Sequence, residues 1–197
     1  MDEQAEVTIA YGLPATQRKA AARLYWQAFG GKLGRVLGPD RRALEFIAGA
    51  IRSDHAIVAM QGGRLLGICG FKTARGAFVA AEPGQMRDSY GAVGAAWRRY
   101  ALGLLVQDTD NERFLIDGLC VDEGARDRGI GSALVEAICD HARNRGYAAV
   151  RLDVVDTNLA ARRLYERLGF RAVKLHPLRT AAPLFGFRAT VTMVREV

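Results

Sequence analysis

A strand that runs through a charged turn into a glycine-opened helix restricts this chain more than any other feature. FLIDGLCV (114–121) has the length and apolar content of a strand, the turn DEGARDR follows, and Gly129 and Gly131 then open a helix. Ile130, Ala133, Leu134, Ala137, Ile138 and Ala142 line one face of that helix until Gly146 stops it. AAVRLDVV (148–155) reads as the next strand. Asn158 then caps a second helix carrying Ala161, Leu164, Tyr165 and Leu168, which ends at Gly169. The second half is thus a strand-helix-strand-helix unit, closed by two strands in GFRAVKL and FRATVTMVREV.

The first half is less regular. Val7 to Tyr11 alternates as a short strand, and from Thr16 the positions Ala20, Leu24 and Ala28 recur at helical spacing until Gly30, Gly31 and Gly34. A second helix is expected from Asp40 to near Ser53. The strands HAIVAM and RLLGICGFK then form a hairpin around Gln61-Gly62-Gly63. Residues 85 to 107 place Met86, Tyr90, Val93, Trp97, Tyr100 and Leu104 on one amphipathic face, although Gly91, Gly94 and Gly103 interrupt it. That face, with Trp97-Arg98-Arg99-Tyr100, reads as a helix packed on the sheet; a substrate lid, a dimer surface or a nucleic-acid contact are the alternatives.

Composition removes whole classes. With half of its 197 residues hydrophobic, the chain buries a core without disulfides or metals. Cys69, Cys120 and Cys139 form no C-x-x-C pair, and His55, His141 and His176 lie far apart, so no metal is expected. No apolar run approaches the roughly 20 residues that cross a bilayer, which points to a cytoplasmic protein without a membrane partner. The net charge of +7 suits polyanions, either a phosphate-rich cofactor or nucleic acid.

The loop itself suits a diphosphate. A helix N-terminus presents unpaired N–H groups and a partial positive charge, and Gly129, Ile130, Gly131 and Ser132 stand at that position. Arg126 and Arg128, flanking Asp127, add planar donors for phosphate oxygens. On the loop alone, two glycines serving a tight turn beside solvated arginines is an equal reading.

Context separates the two. Arg126, Gly129 and Gly131 match the Gln/Arg-x-x-Gly-x-Gly/Ala loop, and for about 60 residues, from Phe114 through RDRGIGSALVEAICDHARNRGY to TNLAARRLYERLGF, the chain resembles the GNAT superfamily of N-acetyltransferases. The resemblance implies a mixed α/β domain over residues 1–197, with a mostly antiparallel sheet, a splayed parallel central pair and helices on both faces. It implies acetyl-CoA as cosubstrate and a small-molecule or peptide amine as acceptor rather than nucleic acid, and it allows a homodimer. Leu119 and Val121 would pair with the pantetheine arm, and the Val121 N–H would polarise the thioester carbonyl. Asn158 matches a position that contacts the arm, while Tyr165 matches the tyrosine that protonates the leaving thiolate, although its spacing with Ala161 and Leu168 is also that of a core face. Asp117 stands where many relatives have a glutamate base; being one methylene shorter, it points to a base acting through water. The chain departs from the family in a helical insertion at about 73–112.

Two other readings compete with a direct-transfer N-acetyltransferase. A dinucleotide oxidoreductase would use Gly129-x-Gly131 with Asp153 on a ribose, but Leu134 stands at its third glycine position. An acyl-CoA-binding regulator without turnover would use the same loop. Cys120 reads as a small buried hydrophobe rather than an acyl carrier.

Overall fold

Strands that are apolar on both faces need cover on both sides, and the computed structural model, which describes residues 6–82, 84–105, 112–178 and 181–197, supplies it. In chain order the elements are β1 (Thr8–Tyr11), α1 (Arg18–Leu37), α2 (Asp40–Ala50), β2 (Ala56–Gln61), β3 (Arg64–Thr73), β4 (Gly76–Ala77) and α3 (Gln85–Gly103). There follow β5 (Phe114–Val121), α4 (Ile130–Asn144), β6 (Ala149–Val155), α5 (Leu159–Arg167), β7 (Arg171–Pro177), α6 (Ala182–Phe185) and β8 (Ala189–Glu196). The sheet order is β1-β2-β3-β5-β6-β8-β7, with β4 appended to β3. Every pairing is antiparallel except β5 with β6.

The sheet separates two cores. On one face Ala56, Val58, Leu65, Ile68 and Cys120 pack with Leu24, Val36, Phe46 and Ile47 of α1 and α2. On the other, Ile57, Leu66, Phe71, Phe114, Ile116 and Leu152 pack with Leu134, Ile138 and Tyr165 of α4 and α5. Gly67 lets α4 settle on the sheet: a Cβ there would stand 2.9 Å from the Leu134 side chain.

Three readings of the first half need correction. The first helix does not stop at Gly30, Gly31 and Gly34 but continues to Leu37. A mid-helix glycine costs only about 1 kcal/mol relative to alanine, and Val36 and Leu37 are buried beyond them. The break comes before Pro39, which restricts the residue ahead of it. The second helix ends at Ala50 rather than near Ser53.

The third correction concerns the insertion. Gly91 adopts φ 71° and ψ 170°, a conformation open to glycine, and divides α3 into two segments. The turn of the second segment takes the expected apolar face out of register. Met86 and Tyr90 are buried, whereas Val93 is 83% exposed and Tyr100 74%, with Trp97 and Leu104 also exposed. Ala95 and Ala101 face inward instead. The helix packs on α1 and α2 rather than on the sheet. Tyr90 donates its hydroxyl to the Leu37 carbonyl at 2.6 Å, and the Arg98 guanidinium lies 4.0 Å from the Tyr90 ring centre. Residues 83 and 106–111 of the insertion lie outside the described residues.

Leu134 is fully buried between α4 and the sheet. Leu134→Ala should cost about 2–5 kcal/mol, read as a lower urea midpoint at unchanged slope.

Candidate active site

The parallel pair is hydrogen-bonded over only three positions: Phe114 with Val150, Leu115 with Arg151 and Ile116 with Leu152. Beyond Ile116 the two strands diverge. On its other edge β5 stays paired with β3 as far as Val121, and the Asp122 N–H donates to the Leu66 carbonyl at 2.8 Å. Alternation along an antiparallel ladder then turns the N–H groups of Leu119 and Val121 the other way, into the gap. The side of Val121 that faces the gap also exposes its carbonyl, which accepts a long bond from Arg126 Nε at 3.4 Å.

The phosphate-loop residues stand at the end of that gap. Gly129 is the N-cap of α4 in the left-handed region, with φ 78°, and caps the helix with no side chain. The first intrahelical bond runs from Ala133 N–H to Gly129 carbonyl. The N–H groups of Ile130, Gly131 and Ser132 therefore remain as donors at the positive end of the helix. Asp127 is the one non-glycine described residue with positive φ, at 59°. Around these groups opens a cleft of about 570 Å3. Leu119, Val121, Arg126, Asp127, Gly129, Ile130, Gly131, Ser132 and Asn158 all line it. Arg128, the tenth of the expected ligand-binding residues, does not; it turns to β2 and donates to Gln61 Oε1 at 3.1 Å. Asn158 also caps α5, accepting from Ala161 N–H at 3.2 Å.

A Cβ on Gly131 would project between Leu164, Leu119 and Val121, within 3.4–3.8 Å of each, and so into the cleft. Gly118 performs a similar service on β5, because a Cβ there would meet the Phe29 ring at 2.9 Å. Phe29 belongs to the wall that sequence reasoning missed. Leu24, Gln27, Ala28, Phe29 and Lys32 of α1 complete the cleft, together with Ala160, Leu164 and Arg167 of α5. The signal was present in the i, i+4 step from Ala28 to Lys32, but only once the helix is carried through Gly30 and Gly31.

Asp117 occupies a bulge. Gly70 pairs with Gly118 and Phe71 with Ile116, which leaves Asp117 as the extra residue on β5. Its carboxylate accepts backbone N–H bonds from Phe78 and Val79, at the start of the insertion. The side chain is solvent-accessible yet ringed by protein. That surrounding protein raises its pKa above the ordinary aspartate range, against the opposing pull of Lys72, the two N–H groups and His55. Tyr25 of α1 lies close enough to Asp117 and Cys120 for their charges, after burial, to push its phenol up.

Tyr165 is 7% exposed, with its ring 5.9 Å from Phe170, and does not line the cleft. Burial raises its pKa, followed by the fields of Cys69 and Cys120. Cys120 is itself pushed up to about 12, mainly by burial. Lys32 is lowered by burial, and its Nζ stands 5.5 Å from the Phe29 ring centre.

The geometry excludes one competitor. Asp153 does not face the loop: it pairs with Arg151 at 3.2 Å and accepts from the Thr192 hydroxyl at 2.5 Å. No helix among the described residues is long and apolar enough to cross a membrane.

Comparison with known proteins gives the same frame. The chain is 47% identical over 58 residues to a mycothiol acetyltransferase of Beutenbergia cavernae, a stretch that is 29% of this chain and 20% of that one. It is 40% identical over 60 residues to human N-acetyltransferase 8B, covering 30% and 26% respectively. The chain thus spans less than a third of the length of either relative. The structure of a Salmonella typhimurium protein with its cofactor acetyl-CoA superposes with a TM-score of 0.62 at 16% identity, over 96% of this chain and 93% of that one. The model of the acetyltransferase (GNAT) family matches residues 18–170, and the chain belongs to that family.

Proposed function

We propose that this protein is an N-acetyltransferase that moves an acetyl group from acetyl-CoA to a primary amine by direct transfer in a ternary complex. The observation that carries the reading is one cleft shared by two sets of donors: the gap-facing N–H groups of β5 and the uncapped N-terminus of α4. Acetyl-CoA brings a diphosphate, a long arm of amides and a thioester, and each meets a matching group. The N–H groups of Ile130, Gly131 and Ser132, with Arg126, would hold the phosphates. Leu119, Val121 and Asn158 would hold the arm, and the Val121 N–H would stabilise charge developing on the thioester oxygen.

Two side chains move the protons. Asp117 takes one from the incoming amine through water; the Tyr165 hydroxyl, buried behind the cleft yet close enough to Cys120 of its wall to feel that residue's charge, gives one to the departing sulfur. Two backbone donors fix the Asp117 carboxylate in its bulge, which favours relay through water over direct reach. Burial pushes the Cys120 thiol up to about 12, which keeps it protonated at neutral pH and favours direct transfer over an acyl-enzyme.

Ligand binding is tested first by thermal melting. Acetyl-CoA at 100 times its dissociation constant should stabilise the protein by about 2.7 kcal/mol, a shift of roughly 5–10 °C at this size. Gly131→Leu, which fills the cleft from a helical position without positive φ, should remove the shift, and Arg128→Ala should keep most of it. An unchanged shift in Gly131→Leu would place the ligand elsewhere. A strong shift with no product across a broad amine screen would leave an acyl-CoA-binding regulator.

Proton transfer is tested by Asp117→Asn and Tyr165→Phe. Each should lower turnover about 10²–10⁴-fold while leaving the acetyl-CoA melting shift in place. The acidic limb of the rate profile should rest on an aspartate titrating above its usual range, with activity rising as it ionises. The sign for stability is opposite. Because the folded-state pKa is raised, Asp117 favours folding below its unfolded pKa and loses that contribution as pH climbs through the folded value. Asp117→Asn should therefore be no less stable than wild type at neutral pH. A variant that is inactive because it is unfolded would carry no weight for the base, and full activity in either variant would remove that residue from the scheme.

A further inference from the structure

Lys32 is the lysine in the cleft, and the proposed reaction gives it no task. It lines the cleft from α1, together with Leu119, Cys120 and Val121 of β5. No carboxylate or hydrogen-bond acceptor pairs with it among the described residues; its near neighbour is the face of Phe29. Burial lowers its pKa, against a smaller opposing effect of Cys120, and so enlarges the fraction present as the neutral amine. The identity of the residue matters as well. Only four of the chain's 28 lysine and arginine residues are lysines, at positions 19, 32, 72 and 174. The other cations of the cleft, Arg126 and Arg167, cannot become neutral nucleophiles.

We propose that Lys32 is a self-acetylation site, whose amine takes the acetyl group of acetyl-CoA held in the same cleft. The inference rests on the acyl-CoA reading of that cleft. The neutral Nζ attacks the thioester carbonyl carbon; a C–N bond forms and the C–S bond breaks. Nitrogen releases one proton and the departing sulfur takes one up, leaving N6-acetyl-lysine and free CoA with no oxidant or reductant involved. A cation on the cleft wall is thereby replaced by a longer neutral amide, so the protein in which this has occurred presents a narrower, less positive channel.

The other lysines serve as internal controls, since Lys19 and Lys174 are exposed and would report acetylation by acetyl-CoA in free solution. The full chain is incubated with acetyl-CoA and no acceptor amine, then digested and mapped by mass spectrometry, with melting in the presence of CoA measured in parallel. One acetyl group is expected on Lys32, at an occupancy at least about tenfold above Lys19 or Lys174, because a held amine sees a far higher effective concentration of thioester. Lys32→Arg should remove that label, and Gly131→Leu should reduce it to the level of the exposed lysines. Equal labelling of all four lysines would overturn the inference, as would an unlabelled Lys32 in protein that CoA still protects from heat. If CoA gives no protection and Lys32 stays unlabelled, the acyl-CoA reading of the cleft falls together with this one.

Discussion

The parting of β5 from β6 after Ile116 and Leu152 is the constraint on which the rest of the site depends. A buried strand normally spends both edges on ladder bonds, and an edge left open is costly unless water or a ligand reaches it. Here β5 keeps one edge on β3 through Val121 while its other edge faces a cleft. The same divergence makes room for α4 to begin at the mouth of the gap, so that helix-end and strand-edge donors converge there. The left-handed turn at Gly129 sets the angle of that entry.

Much of this was legible in residue order, because it rests on local rules. The glycine-opened α4, the Asn158 cap and the Gly146 and Gly169 stops depend on neighbours a few positions away, and they appear in the structure where the sequence puts them. The α1 wall was not legible. Whether a helix survives Gly30, Gly31 and Gly34 is settled by what Val36 and Leu37 bury, which is a tertiary matter. The bulge that isolates Asp117 belongs to the same category, since it exists only in the register between β3 and β5. In α3 the periodic apolar pattern fails because one glycine at φ 71° turns the second segment, and the residues at helical spacing no longer share a face.

α1 joins the two halves of the molecule. Its buried side contributes to the core over β2 and β3, its open side walls the cleft with Phe29 and Lys32, and its C-terminal turn carries Arg35, which donates to the Pro183 carbonyl of α6. Tyr90 of α3 reaches the same turn through the Leu37 carbonyl. A shift of this one helix would thus be felt at the insertion, at the connection before β8 and along the cleft together.

The donors that meet in the cleft at Leu119, Val121, Ile130, Gly131 and Ser132 are main-chain groups, with the identity of the side chain free to vary at all but the position that must stay small. Recognition written in the backbone is largely silent to point mutation: exchanging Leu119 for another apolar residue alters packing and keeps the donor. A site of this kind can persist while the surrounding sequence drifts far, because what selection must preserve there is the path of the chain. The α1 wall is the opposite case, built from side chains, and there each substitution changes the chemistry that an incoming molecule meets.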